Sequence, residues 1–75
     1  MRELVEYIVK SIVAEPDKVN ITEENSDVGL LIKLEVAPED KGRVIGKQGR
    51  VAEAMRTLLR VKAAKDDIRV RLEIL

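Results

Sequence analysis

Apolar residues recur with helical spacing over the first fourteen residues of the chain. Pairs of them stand four positions apart: Leu4 and Val5, Ile8 and Val9, Ile12 and Val13. This spacing places the pairs on one face of an amphipathic helix, which we predict over residues 2–14. Pro16 disfavours helical geometry at Glu15 and ends the helix. Tyr7, the only aromatic residue, falls beside the apolar face, so we expect it to pack at the edge of the core.

The next two segments alternate between apolar and polar residues, as β-strands do. Val19 and Ile21 have polar neighbours, which predicts a short strand over residues 18–23. A polar turn over residues 24–27 follows. It leads into a longer alternation, formed by Val28, Leu30, Ile32, Leu34 and Val36. Because the connection is so short, we expect the two strands to form an antiparallel hairpin.

The second half of the chain predicts two further helices and one strand. Pro38 suits the first turn of a helix, which we predict to run to about Ile45. Residues 46–49 interrupt it, and another helix is predicted from about Arg50 to Ala64. The chain then alternates again to its end, through Ile68, Val70, Leu72 and Ile74. This alternation predicts a third strand.

The predicted order of elements is α-β-β-α-α-β, in one domain that spans residues 1–75. The predicted fold class is α+β. One three-stranded sheet with three helices on one face is the simplest way to bury these apolar stripes.

The composition excludes several classes of function. The chain contains no Cys and no His, so disulfides, the usual zinc sites and Ser–His or Cys–His catalysis are absent. A chain of 75 residues buries a small core with little room for a deep cavity. We therefore expect a protein that is not an enzyme and that holds no cofactor or metal. The N-terminal segment is too short and too charged for a membrane span, and it lacks the small-residue cleavage site of a signal peptide, which predicts a cytoplasmic protein without a membrane partner.

Charge is unevenly distributed, although the formal net charge is zero. Residues 1–40 carry ten acidic and four basic side chains, whereas residues 41–75 carry ten basic and four acidic ones. This asymmetry indicates a local basic surface of the kind that binds nucleic acid. The counts alone fit equally well with uneven charge that has no function.

Two glycines between the last two predicted helices form the candidate site. Gly46 and Gly49 have no side chains, so another backbone can approach this turn closely. The helix that follows begins with unpaired N–H groups and a positive dipole end, which suit a phosphate. Lys47, Arg50 and the upstream Arg43 add positive charge. The alternative is a plain helix–helix turn with solvated charges, whereas the glycine spacing excludes a nucleotide-hydrolysing P-loop.

Residues 42–50, Gly-Arg-Val-Ile-Gly-Lys-Gln-Gly-Arg, resemble the V-I-G-x-x-G signature of KH domains. The order of elements is similar to the type II arrangement of that family, and the resemblance covers essentially the whole chain. In KH domains this loop clamps about four nucleotides by their backbone. The resemblance implies a site for single-stranded RNA formed by Arg43, Ile45, Gly46, Lys47, Gln48, Gly49 and Arg50. It places Ile45 in an apolar groove floor, which Ala52, standing where the family usually has Ile, would make shallower.

The last predicted helix carries more apolar residues than one core stripe needs. Val51, Met55 and Leu58 suffice for the stripe. The surplus lies on both sides of it: Leu59, Ala52 and Ala63 on one, Ala54 and Val61 on the other. The resulting arc of about 200° is wider than the roughly 100° of an ordinary surface helix, which favours a homodimer or heterodimer interface. Alanines that serve only as good helix formers are the alternative.

The resemblance is greatest to small bacterial members of the KH family. It implies an RNA chaperone that associates with itself and with a larger KH-containing protein, and that influences cell elongation and envelope synthesis. The competing hypothesis is a protein-interaction adaptor with a KH fold and only incidental RNA contacts.

Overall fold

The predicted order of elements is confirmed by a computed structural model that describes residues 1–75. The helices are α1 (Arg2–Ile12), α2 (Lys41–Ile45) and α3 (Arg50–Lys65), and the strands are β1 (Asn20–Ser26), β2 (Gly29–Glu35) and β3 (Val70–Ile74). Short 3-10 turns cover Pro16–Lys18, Pro38–Asp40 and Lys47–Gly49. The α+β class and the three-stranded sheet are confirmed. None of the helices combines the length and the apolar character that crossing a bilayer requires.

The sheet is mixed, with β2 at its centre. β1 runs antiparallel to β2, and β3 runs parallel to β2 with Leu30 opposite Val70 and Leu34 opposite Ile74. A parallel pair needs a long crossover connection, and the segment that contains α2 and α3 provides it. The candidate loop therefore lies inside this crossover. The two sheet edges differ in charge: β1 carries Glu23 and Glu24, whereas β3 carries Arg71 and Glu73, whose charges offset each other.

The hairpin lies later in the chain than predicted. β1 covers Asn20–Ser26 instead of residues 18–23. Residues 24–26, predicted as a turn, pair with β2 because their backbone groups find partners there. The turn is thereby reduced to Asp27 and Val28, and the side chain of Val28 is 79% exposed.

α1 packs on the sheet through Val5 and Val9, which are both fully buried. The helix ends at Ile12, and Val13 is already extended, with φ −88° and ψ 154°. The prediction that Tyr7 packs at the core edge is wrong, because its side chain is 75% exposed. Two residues along an α-helix rotate by about 200°, so a residue midway between two buried positions points away from the core.

α3 buries one face, formed by Ala52, Met55, Leu59 and Ala63. The predicted stripe through Leu58 is wrong, since that side chain is 49% exposed and the adjacent Leu59 takes its place. Met55 and Leu59 belong to one hydrophobic cluster with the buried side chains of β2 and β3, namely Ile32, Leu34 and Leu72. The helices thus cover one face of the sheet.

Candidate nucleic-acid interface

The loop between α2 and α3 is a tight turn held by its own backbone. The N–H of Gly46 donates to the carbonyl of Gly42 at 2.8 Å, and the N–H of Gly49 donates to the carbonyl of Gly46 at 3.1 Å. Three residues have positive φ: Gly46 at 79°, Gln48 at 57° and Gly49 at 73°. Positive φ is cheap for glycine and costly for other residues. The two glycines therefore permit the reversal between α2 and α3.

The two glycines differ in what surrounds them. A Cβ on Gly46 would lie 2.8 Å from the backbone nitrogen of Val51, so this position is closed by the first turn of α3. A Cβ on Gly49 would meet nothing within 4 Å. Only Gly49 therefore presents open backbone that a ligand could approach, whereas Gly46 is glycine because of packing within the chain.

The start of α3 is open to solvent and is not capped by a side chain. Lys47, Gln48 and Arg50 are exposed, and Ile45 is 37% exposed beside the fully buried Val44. The one side-chain hydrogen bond in the loop runs from Arg50 Nη2 to Gln48 Oε1, at 3.2 Å. Since this amide oxygen is used by the guanidinium, it does not compensate the positive end of α3. The turn thus combines cationic side chains with a helix start that has no side-chain cap, while the backbone N–H groups of Gly49 and Arg50 donate to carbonyls within the turn.

α2 is fixed to the core by a buried carboxylate. Asp40, which is 1% exposed, accepts hydrogen bonds from the backbone N–H groups of Ala14 at 2.9 Å and Glu15 at 3.0 Å. These bonds, that from Ala14 first, hold the pKa of Asp40 below its ordinary value against the opposing effect of desolvation. The Nε of Arg43 lies 3.9 Å from the same carboxylate, and its side chain remains 61% exposed.

A hollow of about 420 Å³ runs between α3 and β3. Its basic walls are Arg56 and Arg60 from α3 and Arg71 from β3. The other lining residues are Leu59, Val70, Leu72, Glu73 and Ile74. We call this feature the α3–β3 hollow. The residues of the loop do not line it, but Arg56 stands only about 9 Å along the helix from Arg50, at 1.5 Å per residue.

No role was predicted from the sequence for the arginines of the α3–β3 hollow. Arg56 and Arg60 are spaced by one helical turn after the loop, which was the available signal. The position of Arg71 beside these two arginines depends on the pairing of β3 with β2, which the sequence alone does not give. Ala52 is 3% exposed, so it packs in the core and does not form an open groove floor. No group of acidic side chains is arranged to hold a metal ion.

Comparison with known proteins places this geometry in a family. The model of the KhpA/KhpB KH domain matches residues 2–74. The chain is 52% identical to the RNA-binding protein KhpA of Listeria monocytogenes, over all of this chain and 99% of that protein. It is 47% identical to the RNA-binding protein KhpA of Clostridium acetobutylicum, and 49% identical to that of Caldanaerobacter subterraneus, each over the full length of both chains.

No solved structure matches the chain. The family match nevertheless covers almost every residue, and the order of elements is consistent with a KH domain. The resemblance to KH domains is thus confirmed: the chain belongs to the KhpA/KhpB family of KH domains.

Proposed function

We propose that this chain is a non-catalytic module that grips single-stranded RNA through the loop Gly46–Gly49. The observation that carries the proposal is the exposed turn at the start of α3, which has no side-chain cap; Gly49 has open space beside it there, and Lys47 and Arg50 offer positive charge. Its relatives are named RNA-binding proteins. That name supports RNA as the ligand.

In this proposal the loop contacts the phosphates of the RNA, and the α3–β3 hollow contacts its bases. Phosphates lie over Gly49, where the positive end of the α3 dipole and the side chains of Lys47 and Arg50 stabilise negative charge. Arg43 adds a charge at the α2 side, and Ile45 offers an apolar contact. The bases extend along the hollow, where no aromatic residue is present. Recognition therefore depends on aliphatic contact and arginine, and it discriminates weakly between bases.

The affinity for RNA should fall as the salt concentration rises, because binding releases the cations that are condensed on the phosphate backbone of the RNA. For single strands the slope of log K against log salt is about −0.7 per phosphate contact. A site of about four nucleotides gives a shallow slope and weak binding. Such a site suits a cytoplasmic RNA chaperone that releases its ligand readily, and by family likeness one linked to cell elongation and envelope synthesis.

The decisive test replaces Lys47 and Gln48 together by Asp. Both side chains are exposed, so the fold and the melting temperature should stay near wild type while binding to a labelled single-stranded RNA is lost. The matched control replaces Lys18 and Asn20 by Asp, which makes the same charge change at exposed positions outside the loop. Fluorescence anisotropy and circular dichroism measure the two properties. RNA binding that survives in the loop variant would refute the loop assignment.

A second candidate role is association through the outer face of α3, formed by Ala54, Thr57, Leu58 and Val61. Leu58 is 49% and Val61 is 64% exposed, and exposed apolar side chains grouped on a helix favour a partner. The proposed partner is a second copy or a larger KhpB-like protein. If the chain is an adaptor and its RNA contacts are incidental, disabling the loop leaves that association and its cellular effect intact.

A further inference from the structure

The face of the sheet that points away from the helices carries a second hollow. Ile32 and Leu72 lie in the core on the helix side, and successive residues of a strand point to opposite faces. Leu31 and Arg71, which are opposite each other in the pairing of β2 with β3, therefore point to the other face. A hollow of about 660 Å³ lies there, and no residue of a helix lines it. We call it the open-face hollow; its lining includes Val28, Leu31, Arg69, Arg71 and Glu73.

The open-face hollow adjoins the α3–β3 hollow across strand β3. Val70, Arg71 and Glu73 line both hollows. Because β3 is an edge strand, no further strand separates them. A nucleotide chain that leaves the α3–β3 hollow can therefore cross β3 beside Arg71 and enter the open-face hollow without a break in its contact with the protein.

Arg69 is held at the far side of this hollow by a close approach of two backbones. The N–H of Leu30 donates to the carbonyl of Arg69 at 2.8 Å. Gly29 has a φ of +135°, and a Cβ at this position would collide with the same carbonyl oxygen and lie 2.9 Å from the Cβ of Arg69. Glycine at position 29 thus lets Arg69 pack against the hairpin, while the side chain of Arg69 remains exposed.

The charges around the open-face hollow favour an anionic ligand. Neither Arg69 nor Arg71 forms an ion pair within the chain. Lys33 and Glu24, on the neighbouring part of the same face, neutralise each other at 3.2 Å. Glu73 offsets one of the two arginines, so the lining keeps a net positive charge. Charge and continuity with the α3–β3 hollow therefore agree on one occupant, the RNA strand that already lies in that hollow.

Acidic residues limit how far the strand continues. Asp27 and Asp67 lie with Arg69 around the adjoining depression at the hairpin turn. Their carboxylates repel phosphates, so the strand ends beside Arg69 and does not pass over the turn. On the near side of this limit, the exposed Val28 and the partly buried Leu31 offer aliphatic contacts to bases.

We propose that the open-face hollow is a second RNA subsite, which holds the nucleotides that adjoin those in the α3–β3 hollow. Arg69 contacts a phosphate in this subsite, and Val28 and Leu31 contact bases. The inference rests on the RNA-binding function proposed above, and it extends the bound segment beyond the roughly four nucleotides that a KH loop clamps.

The first test locates a short and a long strand on the protein. It uses oligouridylates of about four and about eight nucleotides, one and two times the length that a KH loop clamps. Amide chemical shifts of the isotope-labelled protein are recorded with each. Both strands should shift the amides of the loop, whereas only the longer strand should also shift those of Val28, Leu31 and Arg69. Shifts confined to the loop and the α3–β3 hollow with both strands overturn the inference and leave the open face to a protein partner.

The second test removes the proposed phosphate contact. Arg69→Gln should weaken binding of the longer strand by about fivefold at about 0.1 M salt, which is the counterion-release contribution of one phosphate contact, and should make its salt slope shallower by about 0.7. Binding of the shorter strand should stay near wild type. Arg2→Gln, at an exposed position on α1, makes the same change in charge and should leave both strands near wild type. Equal weakening of both strands by Arg69→Gln overturns the inference.

The third test blocks the subsite and leaves every arginine in place. Val28 is 79% and Tyr7 is 75% exposed, so Val28→Glu and its matched control Tyr7→Glu should both fold, which circular dichroism checks. Val28→Glu should weaken binding of the longer strand only, because its carboxylate repels the phosphates there. Tyr7→Glu should leave both strands near wild type. An unchanged affinity of folded Val28→Glu for the longer strand overturns the inference.

The shorter strand separates this inference from the proposed function. If the wild-type protein binds neither strand, both fail. If it binds the shorter strand and gains no more than about fivefold from the longer one, only the inference fails, because an eight-nucleotide strand offers about five registers to a site for four. Replacing Lys47 and Gln48 by Asp should abolish binding of both strands, since the open-face subsite adds to the loop and does not replace it.

Discussion

The backbone N–H of Ala14 donates a hydrogen bond of 2.9 Å to the carboxylate of Asp40, across 26 positions of the chain. The second carboxylate oxygen accepts from Glu15 at 3.0 Å. Asp40, in the turn that precedes α2, thus accepts hydrogen bonds from the two backbone N–H groups that follow the end of α1. This contact fixes the segment that leads into the loop against the first helix.

Replacing Asp40 by Asn should destabilise the protein. Asn has the same shape, but one of its two terminal groups is a donor, so one of the two backbone N–H groups loses its acceptor in a buried place. The melting temperature should fall by roughly 10 °C. Thermal unfolding followed by circular dichroism measures it. Asp17→Asn, at an exposed position, is the matched control and should melt with wild type; equal melting of all three proteins would contradict the assigned role.

The same carboxylate predicts how stability depends on pH. The N–H of Ala14, then that of Glu15, holds the pKa of Asp40 below its ordinary value in the folded chain. A group with a lowered folded pKa stabilises the protein at pH above its unfolded pKa, and the stabilisation is lost as the pH falls through the folded pKa. Urea unfolding at about pH 7 and about pH 3 should therefore show a larger loss for wild type than for Asp40→Asn. Parallel losses would show that Asp40 does not titrate in this way.

Three glycine-to-alanine variants should rank in a fixed order of stability. Gly42→Ala fills open space in a helix and should stabilise by about 0.5 kcal/mol. Gly49→Ala keeps open surroundings but has φ +73°, which costs about 1 kcal/mol. Gly46→Ala combines φ +79° with a collision against Val51 and should cost about 2 kcal/mol or more. Urea unfolding measures all three; a loss at Gly49 equal to that at Gly46 would contradict the closed surroundings of Gly46.

The arginines of the α3–β3 hollow should contribute to RNA affinity. Arg56→Gln and Arg60→Gln should each weaken binding and make the salt slope shallower by about 0.7 if the residue contacts one phosphate. Arg2→Gln, on the exposed surface of α1, makes the same change in charge and should leave both quantities near wild type. Anisotropy titrations over a salt series provide the data. Equal effects of all three variants would mean that the protein attracts RNA only by its general charge.

The exposure of Tyr7 predicts that it contributes little to stability. Tyr7→Ala should change the free energy of unfolding by less than about 0.5 kcal/mol, since the ring is 75% exposed. Val9→Ala removes two methyl groups from a fully buried position and should cost about 2 kcal/mol. Urea unfolding of both variants makes the comparison. A larger loss for Tyr7→Ala than for Val9→Ala would place the ring in the core after all.

Periodicity was enough to predict the elements but not which face each helix buries. The alternation through Ile32 and Leu34 identified β2, because both faces of a strand are read directly from successive residues. Leu58 and Leu59 are adjacent and both apolar, so spacing could not decide which of them enters the core. The position of Tyr7 was predicted wrongly because the apolar face of α1 is wide, and the packing of the helix on the sheet decides which part of that face is buried.

Within the candidate site, the turn between α2 and α3 could be predicted from the sequence, but the contacts that hold this turn in place could not. Gly46 and Gly49 mark the turn because few other residues adopt its backbone angles. The closure of Gly46 by Val51, the hydrogen bonds that Asp40 accepts and the α3–β3 hollow arise from segments that only the folded chain brings together. Arg71 joins Arg56 in this way through the parallel pairing of β3 with β2.

The placement of β1 and β3 at opposite edges of the sheet gives a molecule without net charge two poles: Glu23 and Glu24 lie at one edge, and Arg69 and Arg71, partly offset by Glu73, lie at the other. A distant polyanion exerts almost no net pull on such a molecule, but it does exert a torque that turns the arginine edge forward. If the proposed RNA site is correct, the α3–β3 hollow, which Arg71 lines, would turn towards an approaching RNA chain before contact.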